Sequence, residues 1–178
     1  MSSVEMKRME KFSLGFYVQT VFSIMGHPRK FFSELPQSGS MTQALGFLIL
    51  SAVFFSFARL MSTDLQNFFV ASGIHMFNAV GMVFILAGLG YVVMTLSVGR
   101  KVRFARWFSI YALSAGVTLL ISWVPYVVIF TEPWKWWLIG TGITKGCGLK
   151  LKEALLIMAI SLTIWVLFFW SLIPVITR

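Results

Sequence analysis

Few side chains in this 178-residue chain could carry acid–base or metal chemistry. His75 and Asn78 stand about one helical turn apart at the start of an apolar run, and Asp64 precedes them. Ionisable groups inside a membrane segment are usually functional, so His75 and Asn78 form a candidate intramembrane polar site for a metal ion or a proton. The plainer interpretation is a histidine at the membrane–water boundary.

The inventory of reactive residues is otherwise short. The chain has two His and one Cys, Cys147, so no intrachain disulfide can form. No cluster of His, Asp and Glu has metal-ligand spacing, and no Ser-His-Asp or Cys-His set is apparent. We therefore predict no catalytic residues, no metal, no cofactor and no enzymatic activity.

A glycine motif, Gly140-x-Gly142-x-x-x-Gly146, lies in an apolar setting. Nucleotide binding would require a preceding strand and a later acidic residue, and both are absent from the sequence pattern. Between apolar residues, glycines allow helices to approach closely or interrupt a helix. We assign Gly140 and Gly142 to that structural role, and we assign Gly116 to a helix-packing face.

The formal net charge is +9, from 15 Lys and Arg residues against 6 Asp and Glu residues. These charges lie in short breaks between apolar runs, as in membrane proteins, whereas a nucleic-acid-binding protein would carry them as a patch on a polar domain. We therefore predict no nucleic-acid partner. Anionic lipid headgroups on the cytoplasmic side, or a protein partner, are the expected ligands of a basic set: Arg29, Lys30, Arg100, Lys101, Arg103 and Arg106.

The N-terminal segment, residues 1–40, precedes the long apolar runs. Its residues 12–25 have the spacing of an amphipathic helix that lies in the cytoplasmic interface. Pro28 is suited to open a second short helix that buries Phe31 and Phe32 and turns Arg29 and Lys30 toward lipid phosphates. Two interpretations stay open: a partner-binding or lipid-sensing platform, and a plain membrane-anchoring lead-in.

Composition places the chain in a membrane. Hydrophobic residues make up 58% and charged residues 12%, with a mean hydropathy of +0.84, against roughly 45–50% and about 25% in soluble proteins. Crossing the hydrocarbon takes about 20 apolar helical residues. Four uncharged runs have about this length: residues 41–58, which end before Arg59, then 74–99, 107–131 and 154–177.

The segment 134–149 is a fifth, short candidate span. Thr131-Glu132-Pro133 predicts a helix start, and Lys135 and Lys145 could snorkel to opposite surfaces. The alternative is an interfacial or re-entrant helix anchored by three tryptophans. A fifth crossing places most of the Lys and Arg residues on the side of the N-terminus, which the positive-inside rule favours.

The expected architecture is an all-α membrane bundle, residues 41–178, with amphipathic interfacial helices before it. Its spans cover about 41–59, 74–99, 107–131, 134–149 and 154–177, in the plasma (inner) membrane, with the N-terminus cytoplasmic and the C-terminus outside. Aromatic belts should place Trp137 toward the outer boundary and Trp107, Phe108 and Tyr111 at the inner boundary.

Several short motifs resemble the Yip domain family of small multi-pass membrane proteins, from Pro28 to the end of the chain. They are Pro28-x-x-Phe31-Phe32, Gln37-Ser38-Gly39-Ser40, Ala44-Leu45-Gly46-Phe47, Arg103-Phe104-Ala105-Arg106 with Tyr111-Ala112-Leu113-Ser114, and Gly148-Leu149 with Lys152-Glu153-Ala154-Leu155. The resemblance implies five spans and a cytoplasmic N-terminus. The Asp-Leu-x-Gly-Pro block of eukaryotic members is missing, which argues against a Rab-binding role and points to a prokaryotic-type member.

The expected function is that of a non-enzymatic membrane-organising scaffold that binds lipid or a protein partner. The alternative is a small transporter or channel, with a homo-oligomer as one form, in which the glycine-rich fourth segment lines a path.

Overall fold

The structure is a computed structural model that describes residues 13–36, 40–60, 68–99, 102–124 and 126–176. These residues form seven α-helices: α1 (Leu14–Gly26), α2 (Pro28–Glu34), α3 (Met41–Leu60), α4 (Phe68–Val98), α5 (Phe104–Ser122), α6 (Val128–Thr141) and α7 (Leu151–Ile176). A π-helical turn, Gly142–Gly146, continues α6. The predicted all-α membrane bundle is confirmed at this level.

Four helices are long and apolar enough to cross a membrane. The stretches concerned are Met41–Arg59, Ser72–Val98, Phe104–Ser122 and Leu151–Phe168, which correspond to the four uncharged runs of the sequence. The described part of the chain is therefore that of a multi-pass membrane protein, because about 18–20 helical residues span the hydrocarbon.

Helix α5 forms the centre of the bundle. All of its residues from Trp107 to Thr118 are buried, and α3, α4 and α6 pack around it while α7 packs mainly on α4. The close approach of neighbouring helices to α5 depends on glycines, among them Gly116 and Gly90. A side chain on Gly116 would lie 2.6 Å from a ring carbon of Phe47, and one on Gly90 would lie 2.6 Å from the Tyr111 hydroxyl.

The aromatic residues of α5 are buried between helices. Trp107, Phe108 and Tyr111, which we predicted at the inner boundary, pack in the core within the first two turns of α5. The indole N–H of Trp107 donates to the carbonyl of Ala87 at 3.0 Å, so its polar atom is satisfied inside the protein and does not need the lipid headgroups.

The end of the third span and the start of α6 also differ from the prediction. Helix α5 ends at Ser122, and the chain turns before α6 begins at Val128, so Pro133 lies inside the helix rather than at its start. Tyr126 adopts a φ of 66°, in the left-handed region. The sequence has Pro125 here, a residue type that ends helices, but the predicted span to residue 131 is based only on the absence of charge.

Local sequence features determine where the two N-terminal helices begin. The Ser13 hydroxyl accepts a hydrogen bond from the backbone N–H of Phe16 at 3.1 Å and caps α1. Pro28 occupies the first turn of α2, where its missing N–H costs least. The helix predicted from Pro28 is therefore present, and α1 covers most of the predicted stretch, although Phe12 lies outside the described residues.

Candidate functional site at the basic end of the bundle

Helix α2 is fixed to the bundle by one aromatic side chain. Phe32 is 0% exposed. It packs against the two glycines of the π-helical turn, Gly142 and Gly146. A side chain on Gly142 would lie 3.3 Å from Cδ1 of Phe32, and one on Gly146 would lie 3.3 Å from its backbone oxygen. Phe31 is half-buried. The Pro28-x-x-Phe31-Phe32 motif thus docks α2 through its second phenylalanine.

Arg106 holds the other end of α2. Its guanidinium Nη2 donates to the carbonyl oxygen of Leu35 at 3.1 Å, and its side chain is half-buried. The prediction grouped Arg106 with cations that face lipid or a partner. In the structure this guanidinium is engaged by the protein, because the carbonyl groups at the end of α2 lack helical partners.

The glycines of the fourth segment do not break the helix. The chain continues from α6 into the π-helical turn, where the Thr144 hydroxyl donates to the Gly140 carbonyl at 2.9 Å. Ile110 of α5 fills the space beside Gly142 and Gly146. A side chain on Gly140 would lie at an ordinary contact distance, 3.4 Å, from Sδ of Met158 on α7. These glycines therefore serve helix packing, and the wider π turn replaces the break that the sequence allowed.

The basic end of the bundle is formed by α2, the start of α5, the π-helical turn and the start of α7. Its exposed cations are Arg29, Lys30, Arg103, Lys145, Lys150 and Lys152. The described acidic residues there are Glu34 and Glu153, and the Glu153 carboxylate accepts the backbone N–H of Lys150 at 2.8 Å. Arg100 and Lys101 lie outside the described residues.

The opposite end carries fewer described charges. Arg59 ends α3 there, and Lys135 pairs with Glu132 at 2.6 Å, one turn away on α6. The described charges are thus distributed unevenly, with a net positive basic end and a nearly neutral opposite end. Such asymmetry is typical of membrane proteins whose cationic side is cytoplasmic.

An elbow between α1 and α2 opens a groove beside α6, and α2 joins this groove to the basic end. This elbow groove has a volume of about 380 Å³ and is lined by Gly26, His27, Pro28, Arg29, Lys30 and Trp137. The prediction placed Trp137 toward the outer boundary, whereas the structure sets it beside the N-terminal segment. No local sequence pattern predicts the contact between Trp137 and the N-terminal segment, because this contact depends on how α2 docks against α6.

Helix α1 packs against α3 through Tyr17. The hydroxyl groups of Tyr17 and Ser51 are 3.0 Å apart, and the Tyr17 ring lies 4.7 Å from that of Phe47. Ser51 is near the middle of α3. The outward side of α1 is an apolar stripe at i, i+4, i+8 and i+11, made of the exposed residues Leu14, Val18, Phe22 and Met25.

The polar pair on α4 does not form a closed site. His75 is half-buried with its ring edge-on to Phe55, at a centroid distance of 6.4 Å. Asn78 is exposed on the outward face of α4, in an open groove of about 610 Å³ whose other lining residues are apolar or glycine. Asp64 lies outside the described residues. Among the described residues, no group of three or more His, Cys, Asp and Glu side chains could hold a metal ion.

Comparison with models of protein families gives a match over most of the chain. The model of the Yip1 domain matches residues 22–173. The chain belongs to the Yip1 domain family. The matched region begins within α1 and includes α2, the elbow groove and the whole basic end, so these features are part of the family domain in this chain. Neither the curated proteins nor the solved structures contain a significant match.

In this Yip1 domain protein, residues of the sequence motifs have structural roles that the motifs alone did not reveal. Phe32 and Arg106 lie in two of the motifs that carried the resemblance, and both bind α2 to the bundle. Ile110 and Ser51 were not singled out from the sequence, although they complete the contacts of Gly142 and Tyr17. An isolated apolar or hydroxyl residue in a span gives no signal of such a role.

Proposed function

We propose that this protein is a non-enzymatic membrane-organising scaffold whose basic end faces the cytoplasm and binds the anionic headgroups of a membrane surface. The observation that supports the proposal is the collection of exposed Lys and Arg side chains at the basic end, opposite a nearly neutral end. Each such cation near an anionic surface contributes about 1 kcal/mol. Six exposed cations would together give strong, salt-dependent attraction.

We propose five crossings, of which α6 with its π-helical turn is the fourth. This segment runs antiparallel along α5. The Ser122 hydroxyl donates to that of Thr131 at 3.0 Å at one end, and Gly142 and Gly146 meet Ile110 toward the other. Residues 128–146 extend about 28 Å at 1.5 Å per residue, close to the hydrocarbon thickness. The N-terminus would then be cytoplasmic and the C-terminus outside, in the plasma membrane.

The non-enzymatic character is supported by the chemistry of the bundle interior. The buried polar side chains of the described residues are Ser, Thr, Gln and Tyr, and no buried Asp, Glu, His, Lys or Arg is among them. General acid–base catalysis and proton transport use titratable groups near neutrality inside the bundle. A scaffold does not need them.

Transport through the fourth segment has little support. The glycines that would line a path, Gly142 and Gly146, are covered by Ile110 and Phe32. The structure offers no observation in favour of that alternative, so we do not propose it.

Vesicle capture tests the proposed function. Full-length protein is reconstituted into neutral phosphatidylcholine vesicles, and fluorescent vesicles with or without phosphatidylglycerol are added and recovered by flotation. We expect capture only of the anionic vesicles, weakening with salt. Arg103→Glu with Lys152→Glu should reduce it at least tenfold, whereas Arg59→Glu at the opposite end should not. Equal capture of neutral and anionic vesicles would refute the proposal.

A further inference from the structure

The elbow groove differs from the rest of the basic end because its cations share one concave surface with an indole. Arg29 and Lys30 are exposed on consecutive positions of α2, and the exposed indole of Trp137 on α6 lines the same groove. His27 lies at the elbow itself. A volume of about 380 Å³ is sufficient for a headgroup of phospholipid size.

The groove cations are not used by the protein. Within the described residues, no hydrogen bond or ion pair of the protein involves the side chain of His27, Arg29 or Lys30. Glu34 stands four positions after Lys30 on α2 but does not pair with it in the described ion pairs. Two adjacent cations in a concave site with an aromatic wall are suited to a phosphate group, since Arg and Lys supply several N–H donors.

The apolar stripe of α1 leads away from this groove. Leu14 and Phe22 are 71% and 72% exposed, and Val18 and Met25 are 50% exposed each. Met25 directly precedes the first lining residue, Gly26. The cationic groove is followed by an apolar stripe, and in a phospholipid the anionic headgroup is followed by apolar acyl chains. A free phosphate ion would not contact the stripe.

The site is rigidly supported on both sides of the elbow. Phe32 and the Arg106–Leu35 hydrogen bond hold α2, and the Tyr17–Ser51 hydrogen bond holds α1. The groove is therefore set by contacts that lie outside it, so its own residues can be replaced without loss of those contacts.

We propose that the elbow groove is a specific site for one anionic phospholipid, whose phosphate binds Arg29 and Lys30 and whose acyl chains lie on the apolar stripe of α1. The proposal rests on the proposed function for the orientation of the basic end, and it adds a defined stoichiometric site to the general attraction. Trp137, midway along the proposed crossing 128–146, would lie beside the acyl chains next to the headgroup.

Native mass spectrometry of the full-length protein in detergent tests this site. The protein is mixed with phosphatidylglycerol, phosphatidylcholine or soluble glycerol phosphate. We expect one retained phosphatidylglycerol, at least tenfold less of it in Arg29→Gln with Lys30→Gln, and a smaller loss in Phe22→Gln. The matched control, Lys150→Gln with Lys152→Gln, should retain the lipid. Glycerol phosphate should not bind, because it lacks the acyl chains.

The outcomes separate this site from the proposed function. If the control pair loses as much lipid as the groove pair, or if phosphatidylcholine is retained equally, the specific site is overturned while vesicle capture can still succeed. Retention of glycerol phosphate as strong as that of the lipid would mean a free-anion site and would also overturn the proposal. Gel filtration and circular dichroism confirm that each variant is folded.

Discussion

The guanidinium of Arg106 lies 3.1 Å from the carbonyl oxygen of Leu35, 71 positions earlier in the chain. This hydrogen bond joins the first turn of the central helix α5 to the residue that ends α2. Together with the burial of Phe32 against the π-helical turn, it fixes the N-terminal helices relative to the membrane-spanning bundle. The basic end therefore has a defined shape rather than a loose array of cations.

Replacing Arg106 should release α2 without unfolding the bundle. A hydrogen bond from a charged donor contributes about 1.5–3 kcal/mol, so Arg106→Gln should lower the hydrogen-exchange protection of residues 28–35 at least tenfold. The matched variant Arg103→Gln, whose side chain is exposed, should leave that protection unchanged. Equal protection in Arg106→Gln and the parent protein would show that the contact with Leu35 does not hold α2.

A methyl group should be tolerated at Gly140 but not at Gly142. The new side chain at Gly142 would meet the fully buried Ile110, and overpacking of this kind costs about 1–3 kcal/mol. At Gly140 it would make an ordinary contact with Met158, and alanine gains up to about 1 kcal/mol of helix propensity. Thermal unfolding in one detergent should show a lower midpoint for Gly142→Ala than for Gly140→Ala.

A second substitution identifies the cause of that effect. Ile110→Leu removes the γ2 methyl group that the new side chain meets, so adding it to Gly142→Ala should raise the midpoint above the sum of the single effects. If the effects of the two substitutions on the unfolding midpoint were strictly additive, the side chain added at Gly142 would not clash with the γ2 methyl group of Ile110.

Tyr17→Phe should loosen α1. The Tyr17–Ser51 hydrogen bond contributes about 0.5–1.5 kcal/mol, and its loss should raise the hydrogen-exchange rate of residues 14–26 several-fold. Ser51→Ala should have a similar effect, and the double variant should add little to either single one. Additive effects of the two substitutions would mean that the hydroxyl groups act independently.

The only cysteine should react slowly with maleimide at neutral pH. Burial raises the pKa of the Cys147 thiol to about 11, and the nearby Arg106 guanidinium acts in the opposite direction. Because the pKa is raised, the thiol stays protonated below that value, and its rate should rise about tenfold per pH unit between pH 7 and pH 10.

The control for this measurement is an exposed thiol. In a Cys147→Ser background, Lys145→Cys should react faster at pH 7 and level off near pH 8.5. A Cys147 rate that levels off near pH 8.5 would contradict the burial.

The sequence predicts the class of fold because four long uncharged runs leave few alternatives to membrane helices. It also predicts the helix at Pro28 and the buried Phe32, since both follow from short local patterns. It does not predict the turn at Tyr126 or the position of Trp137 beside the elbow. Those features depend on backbone conformation and on contacts between distant helices, which hydrophobic periodicity does not encode.

The candidate site shows the same division. Charge counting predicts that Arg29, Lys30 and Arg103 are on one side, because it needs only the order of the spans. The role of Arg106 cannot be obtained in this way, since an arginine that binds a carbonyl and one that faces lipid look alike in a basic run. The elbow groove is also invisible in the sequence, because its walls come from residues more than one hundred positions apart.

Side-specific labelling of two single-cysteine variants tests the central claim that the basic end lies on one side of the membrane and that α6 crosses it. Glu132→Cys and Lys145→Cys, each in the Cys147→Ser background, are exposed to a membrane-impermeant maleimide in intact cells and after permeabilisation. We expect the thiol at position 132 to be labelled from outside and that at position 145 only after permeabilisation. Labelling of both from the same side would contradict the account.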